Sequence, residues 1–181
     1  MMDELHFVPR SEFTRLLTLD CPPVPKTEVF AALCRINTLY MIAFAGSGHI
    51  GTSFSSMDIV SWLYLNELNT HPPDEDGAGD VFFSSKGHDA PALYSVMIGL
   101  GLLPFEKLHE LRRLNGLPGH PDVSTPLIET NTGSLGMGIS KAKGMALANR
   151  MLGRNCRLYV MTGDGELQEG QLWESLGSAA N

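Results

Sequence analysis

Three of the six histidines in this 181-residue chain, His49, His88 and His120, directly follow a glycine. We expect each of these pairs in a loop or at the start of a helix. A preceding glycine lets the backbone approach a ligand closely, and an imidazole donates, accepts or transfers protons near neutral pH. The pattern indicates a binding or proton-transfer site, with ordinary turn histidines as the alternative for any single one. We predict that the three imidazoles meet in one cleft.

An aspartate between two glycines, Gly163-Asp164-Gly165, follows an apolar stretch that is expected to form a strand. In open α/β sheets, ligands bind at the carboxyl ends of strands, where glycine amides reach phosphate and a carboxylate holds a hard cation. This predicts Asp164 as a magnesium ligand, and the structural alternative is a strand-to-helix turn capped by aspartate. The glycine-rich run 133–138 precedes a helix in a similar way. It matches neither the P-loop nor the dinucleotide-binding fingerprint.

Composition and charge narrow the class of protein. The chain has 43% apolar and 18% charged residues, which suits a folded domain, and its net charge of -7 provides no cationic surface for nucleic acid or anionic lipid. Three widely spaced cysteines without a C-x-x-C pair indicate a reducing compartment. No secretory pattern is visible, and the longest apolar run, 90–105, is too short to span a membrane. We expect a cytoplasmic protein without a membrane or nucleic-acid role.

The helices and strands that must position these residues are predicted from hydrophobic periodicity and from the places of glycine, proline and capping residues. Residues 1–26 are predicted to form an arm with one helical turn near 11–17, and residues 27–181 a single domain. Helices are predicted over 27–46, 56–68, 91–98, 104–114, 136–152 and 168–180, and strands over 81–83 and 156–162. Residues 72–79 are expected to form an acidic loop, and 115–132 a long loop of functional type. Strands separated by helices imply an α/β fold, a parallel sheet flanked by helices.

Taken in order, six motifs resemble the diphosphate-binding half of transketolase. They are Ser47-Gly48-His49 with Gly51, Ser85-Lys86-Gly87-His88, Pro118-Gly119-His120-Pro121, Thr132-Gly133-Ser134-Leu135-Gly136, Gly163-Asp164-Gly165 and Gln168-Glu169-Gly170. The resemblance covers residues 27–181. It implies the fold of thiamine-diphosphate-binding domains and the transfer of a two-carbon ketol unit between sugar phosphates, with thiamine diphosphate and Mg²⁺ (or Ca²⁺ or Mn²⁺) as cofactors.

The resemblance also implies a role for each matching residue. Asp164 would bind the cation, Gly165 and His88 would contact the diphosphate, and Gly133 and Leu135 would line the aminopyrimidine. His49 and His120 would face the substrate as proton-transfer and hydroxyl-binding groups. Glu169 resembles the family's interface carboxylate. The cofactor's carbanion would cleave the carbon-carbon bond, while protein groups position it and stabilise charge.

Two features depart from the family pattern. Ile50 follows His49 where many members have proline, a version associated with transketolases that are split into two polypeptides. The chain also stops at Asn181, before the asparagine that completes the family's cation shell, and it lacks the pyrimidine-binding domain with the glutamate that activates the cofactor. We expect the chain alone to be inactive and to bind thiamine diphosphate weakly if at all. It would work as a homo- or hetero-oligomer with a pyrimidine-binding domain or subunit.

Two other functions remain open from the sequence. One is a related thiamine-diphosphate enzyme, such as the deoxyxylulose-phosphate synthase or a keto-acid dehydrogenase subunit, although the Lys86-Gly87-His88 and Pro118-Gly119-His120 motifs favour transketolase. The other is an inactive fragment that acts only in protein association. The intact motif set argues against this possibility, whereas the short length argues for it.

Overall fold

The computed structural model describes residues 5–69 and 79–179, which divide into two compact units. Unit 1 comprises Met1–Glu67 and His88–Gly119, and unit 2 comprises Leu68–Gly87 and His120–Asn181. The acidic loop predicted over 72–79 lies, apart from Gly79, outside the described residues. The predicted division into an arm and one domain at residue 27 stays a prediction.

The described part of unit 1 contains four α-helices. They are α1 (Arg10–Thr18), α2 (Pro23–Ala45), α3 (Ile50–Trp62), which continues as one π-helical turn (Leu63–Glu67), and α4 (Ala90–Gly99). Every residue of α4 is buried, and α2 and α3 pack against it. Gly99 lets α1 and α2 approach α4 closely, because a Cβ there would lie 2.8 Å from Phe13 Cε1 and 3.1 Å from Phe30 Cζ.

Helix α2 is long and apolar enough to cross a membrane, by length and composition alone. One of its faces is buried in unit 1, through Phe30, Cys34 and Met41 among others. The same face buries Asn37, whose side chain accepts a hydrogen bond from Val8 N–H at 2.7 Å and donates one to Val8 O at 3.1 Å. We interpret α2 as the core helix of unit 1.

Unit 2 contains a two-stranded parallel sheet with helices beside it. Strand β1 (Val81–Ser84) pairs with β2 (Leu158–Met161), with Val81 opposite Leu158 and Ser84 opposite Met161. Helix α5 (Gly138–Met151) precedes β2, and a 3-10 turn (Gly165–Gln168) leads from β2 to α6 (Gly170–Ala179). A parallel sheet flanked by helices confirms the predicted α/β class.

Several predicted element bounds were wrong. Helix α2 begins at Pro23 rather than Thr27, because proline is well suited to a first helical turn. Helix α3 begins at Ile50 rather than Ser56, and Ser56 is buried within it. The helix at the arm runs over nine residues, Arg10–Thr18, rather than one turn. The helix predicted from 168 begins at Gly170, after the 3-10 turn.

The largest error concerns the helix predicted over 104–114. Only a 3-10 helix forms there, Phe105–His109. Beyond it, Arg112 and Asn115 adopt the left-handed conformation, with φ of 54° and 59°. Arg112 N–H donates to Leu117 O at 2.7 Å, and this closed turn is incompatible with a continuing helix. Apolar spacing alone did not reveal it.

Candidate functional site

In unit 1, His49 and His88 lie together. Their ring centroids are 5.2 Å apart and the rings meet edge to face, at 67°. His49 stands at the N-cap of α3, and His88 precedes Asp89, the N-cap of α4. Two of the three histidines that we predicted to meet are therefore in contact with each other. The side chain of His49 is exposed and that of His88 is half-buried.

The turn that carries His49 depends on glycine. Gly46 ends α2 in the left-handed conformation (φ 69°), and Gly48, at φ 154°, packs so closely on α2 that a Cβ would lie 2.7 Å from Ile42 Cγ1. Arg112 Nη1 donates to Ser47 Oγ at 2.7 Å and adds a side-chain contact to the turn. The Ser47-Gly48-His49 motif is thus a tight bend between two packed helices.

His120 belongs to unit 2, where it contacts the glycine cradle, our name for Gly87, Thr132 and Gly133. A Cβ on Gly133, whose φ is 121°, would lie 2.8 Å from His120 Cδ2. A Cβ on Gly87, at φ 67°, would lie 2.7 Å from Gly133 N and 2.8 Å from Thr132 Oγ1. Three predicted motifs therefore converge in this unit. Whether all three histidines face one cleft stays a prediction.

Thr132 Oγ1 is a buried hydroxyl that has no hydrogen-bond partner among the described residues. Buried polar atoms nearly always have a hydrogen-bond partner, so this hydroxyl could bond a polar group that enters the cradle. The glycine cradle is therefore a place where a polar cofactor group fits.

Asp164 follows β2 closely and is exposed, at the N-cap of the 3-10 turn. Its side chain makes no capping hydrogen bond to that turn. The carboxylate is thus not used in the capping role that was its structural alternative. Next to it, Gly165 is exposed, and among the described residues beyond its chain neighbours no atom lies within 4 Å of the position a Cβ would take. A carboxylate and an approachable backbone at the carboxyl end of a strand suit a cation and a phosphate.

Across the described residues, 5–69 and 79–179, no three His, Cys, Asp or Glu side chains form a group that could hold a metal ion. Asp164 itself contributes one carboxylate. A hard cation binds through six or more oxygens, so additional ligands would have to come from water, phosphate oxygens or other protein groups.

Glu169 packs against the loop that carries Leu135, because its Cβ lies close to Gly136, the residue after Leu135. Leu135 is 41% exposed, in the loop before α5. The next residue, Gly136, has φ 81°, and a Cβ there would lie 2.9 Å from Glu169 Cβ. The glycine-rich loop and the Gln168-Glu169-Gly170 motif are therefore in direct contact. The carboxylate side chain of Glu169 is exposed.

Sequence reasoning missed Glu166, which is 2% exposed. Its carboxylate accepts hydrogen bonds from Gly136 N–H at 2.8 Å and Gly163 N–H at 3.1 Å, and also from the Ser85 hydroxyl. The chain offered one weak signal, an acidic residue directly after Gly163-Asp164-Gly165. Nothing in its spacing distinguishes a buried glutamate from an exposed one.

Asp80 is a carboxylate at the end of the sheet where both strands begin, opposite the end that leads to Asp164 and Glu166. Partial burial of Asp80 opposes ionisation, but hydrogen bonds from the Arg157 side chain and from the backbone N–H groups of Asn69 and Arg157 outweigh it, so the pKa of Asp80 lies below its ordinary value. Arg157 Nη2 lies 2.6 Å from Asp80 Oδ2. This ion pair joins the residues that precede β1 and β2.

All three cysteines are free thiols. Cys34 is buried in unit 1, where burial raises the pKa of its thiol, and Sγ donates to Ser95 O at 3.7 Å. Cys34 is therefore a packing residue. It has no place in the candidate site.

Comparison with known proteins gives the family. The model described as transketolase, thiamine diphosphate binding domain, matches residues 27–181. The chain is 40% identical over 136 residues to an apulose-4-phosphate transketolase subunit of Actinobacillus succinogenes, covering 74% of this chain and 49% of that one. It is 40% identical over 149 residues to the 6-deoxy-6-sulfo-D-fructose transketolase subunit SqwG of a Clostridium species, covering 80% and 54%.

A solved structure supports the same relationship. The complex of Pichia stipitis transketolase with sedoheptulose-7-phosphate superposes with a TM-score of 0.77 at 29% identity, over 87% of this chain and 25% of that one. The chain thus spans about half the length of the subunits it matches and about a quarter of that transketolase. With its motifs on the loops of this fold and a family match over residues 27–181, the chain belongs to the transketolase family, within the N-terminal thiamine-diphosphate-binding domain.

Proposed function

We propose that this chain supplies the diphosphate-binding part of a transketolase-type transferase, which moves a two-carbon ketol unit between sugar phosphates. The observation that carries the proposal is Asp164. It is exposed at the carboxyl end of β2 and makes no capping bond, although its residue type and place would suit one. A carboxylate at such a position is what a diphosphate-bound cation needs.

When bound, thiamine diphosphate supplies the carbanion chemistry that breaks and forms carbon-carbon bonds. In our proposal Asp164 holds Mg²⁺, or Ca²⁺ or Mn²⁺, and Gly165 offers its backbone amide to the diphosphate. Gly133 and Leu135 line the aminopyrimidine, and the nearby Thr132 hydroxyl is a hydrogen-bonding group that has no partner among the described residues.

The histidines divide between binding and proton transfer. His88 contacts the diphosphate, and His49, whose ring touches that of His88, is placed to hold or transfer a proton at a substrate hydroxyl. His120 does the same from beside Gly133. An imidazole suits this work because it exchanges protons near neutral pH.

We further propose a pyrimidine-binding partner, either a separate subunit or a further domain, in a homo- or hetero-oligomer. Two relatives, of which this chain matches about half, carry the word subunit in their names. Unit 2 also exposes large apolar side chains, with Met151 79%, Leu152 63% and Leu147 60% exposed. Glu169, exposed beside Gly136, would face that partner. Three free cysteines support a cytoplasmic location.

A reconstitution experiment tests the function. The chain is combined with a pyrimidine-binding transketolase subunit, and ketol transfer from sedoheptulose 7-phosphate to an aldose phosphate is followed with thiamine diphosphate and Mg²⁺. We expect activity with the wild-type chain and a loss of about 100-fold or more in Asp164→Ala, because a carboxylate that binds the cation is removed. Circular dichroism should show an unchanged fold, since Asp164 is exposed.

The matched control is Glu129→Ala, which removes an exposed carboxylate of the same unit. It should retain activity. An Asp164→Ala variant with unchanged thiamine diphosphate affinity would refute the assigned role, and absence of ketol transfer by the wild-type complex would refute the function.

A further inference from the structure

Glu166 is a buried carboxylate that joins three segments of unit 2. Oε1 accepts from Gly136 N–H at 2.8 Å and from the Ser85 hydroxyl, and Oε2 accepts from Gly163 N–H at 3.1 Å. Ser85 Oγ in turn accepts from Gly138 N–H at 3.0 Å. The side chain is 2% exposed. All three of these hydrogen bonds come from groups of the protein itself.

Each segment it joins belongs to the candidate site. Ser85 follows β1 and begins the motif that ends in His88, while Gly136 and Gly138 belong to the glycine-rich loop and the start of α5. Gly163 begins the turn that carries Asp164. Gly136 and Ser85 are 30 and 81 residues from Glu166 along the chain. One side chain thus sets the distances between parts of the site that the backbone does not link directly.

We propose that Glu166 is a positioning residue, which holds the Asp164 turn against the glycine-rich loop so that the cation-binding and aminopyrimidine-binding groups keep a fixed spacing. The proposal rests on the function proposed above. Glu166 need not touch the cofactor, because it acts through Gly163 on one side and Gly136 on the other.

The acceptor count explains why this position requires a carboxylate. An ionised glutamate offers two oxygens that accept only, and here three donors point at them. Glutamine is nearly identical in shape but has one oxygen and one NH₂ group. That NH₂ would face a backbone N–H, leaving a buried donor without an acceptor.

Amide hydrogen exchange in the 181-residue chain, measured by NMR, tests the contacts. Glu166→Gln should raise the exchange rates of Gly136 and Gly163 by about tenfold or more, since a bond to a charged acceptor is lost. Ser85→Ala should raise the rate of Gly138, whose acceptor it removes, and leave Gly163 protected. Glu129→Gln makes the same charge change at an exposed position and should alter none of the three.

Cofactor titration of the reconstituted complex tests the positioning. In Glu166→Gln we expect the concentrations of Mg²⁺ and thiamine diphosphate at half-maximal activity to rise about tenfold, while the rate at saturating cofactor changes by less than about twofold. A purely structural role would instead lower the amount of active enzyme and hence the rate. The concentrations of Mg²⁺ and thiamine diphosphate at half-maximal activity would then be unchanged.

Hydrogen exchange and cofactor titration together distinguish a failure of the positioning role from a failure of the proposed function. Unchanged exchange at Gly136 and Gly163, or faster exchange with unchanged half-saturation, would overturn the positioning role. A wild-type complex that binds no thiamine diphosphate would overturn the proposed function, and the exchange rates would still decide whether Glu166 joins the two loops. If Glu166→Gln fails to fold, Ser85→Ala tests the role instead. Faster exchange at Gly138 together with weaker cofactor binding would support the positioning role. Unchanged exchange at Gly138 and unchanged cofactor binding would contradict it.

Discussion

At the scale of single residues, two glycines of unit 2 differ in why the fold needs them. Gly133 stands at φ 121°, and the space a Cβ would take is filled by the His120 ring. Gly144, within α5, has no atom of a described residue outside its own helix backbone within 4 Å of the same position. The first glycine is required by close packing and an unusual backbone conformation. The second only costs α5 some helical stability.

Substituting these two glycines by alanine should therefore have opposite effects. We expect Gly133→Ala to lower the free energy of unfolding by about 1–3 kcal/mol, from backbone strain and the displaced His120 ring. Gly144→Ala should raise it by about 0.5–1 kcal/mol, because alanine is the better helix former. Urea denaturation of both variants measures this difference. A stable Gly133→Ala protein with an undisturbed His120 NMR signal would contradict the packing described for the glycine cradle.

At the scale of elements, the ion pair of Asp80 and Arg157 joins the two parallel strands β1 and β2 at their N-terminal ends. The Asp80 side chain is 7% exposed, and besides the two guanidinium contacts it accepts from Asn69 N–H at 3.1 Å and Arg157 N–H at 3.0 Å. By comparison, the Asp58 carboxylate of unit 1 lies 2.5 Å from Arg35 but is 64% exposed. The two ion pairs thus have similar N–O distances, but the side chain of Asp80 is far less exposed to water than that of Asp58.

This difference predicts a pH dependence. The pKa of Asp80 lies below its ordinary value of 3.8, so its stabilisation is present above that pH and is lost as the pH falls through the folded-state pKa. Asp80→Asn should destabilise the protein by about 1 kcal/mol at pH 7, and the gap from wild type should close as the pH falls through the folded-state pKa of Asp80.

Asp58→Asn is the matched control for this experiment. It should cost less than about 0.5 kcal/mol, because water screens an exposed pair. Urea denaturation across pH 2–7 measures both variants. A gap for Asp80→Asn that persisted at the lowest pH would show that its cause is not the ionised carboxylate.

At the scale of the whole molecule, unit 2 leaves much apolar surface uncovered. Within the described part of the chain β2 pairs with β1 alone, and every residue of β2 is partly exposed. Trp173 of α6 is 59% exposed. Large exposed apolar side chains and open strand edges favour association with another protein surface.

The isolated chain should therefore bind its cofactor weakly and associate with itself. No three His, Cys, Asp or Glu side chains among the described residues form a group that could hold a metal ion, and Mg²⁺ exchanges its water reluctantly for an incomplete set of ligands. Calorimetric titration with thiamine diphosphate and Mg²⁺ should give no micromolar binding, and sedimentation should show oligomers. A pyrimidine-binding subunit should suppress the oligomers and restore binding. Micromolar binding or ketol transfer by the chain alone would contradict this.

The sequence by itself determined the α/β class, the order of the site loops and the family resemblance. These depend on residue type and local spacing, as in the Gly-His pairs and Gly163-Asp164-Gly165. Tertiary structure decided the closed turn at Arg112, the contact between His49 and His88, and the burial of Glu166. The physical reason is separation along the chain: Ser85 and Glu166 are 81 residues apart. A hydrogen bond over that distance leaves no periodic pattern to detect.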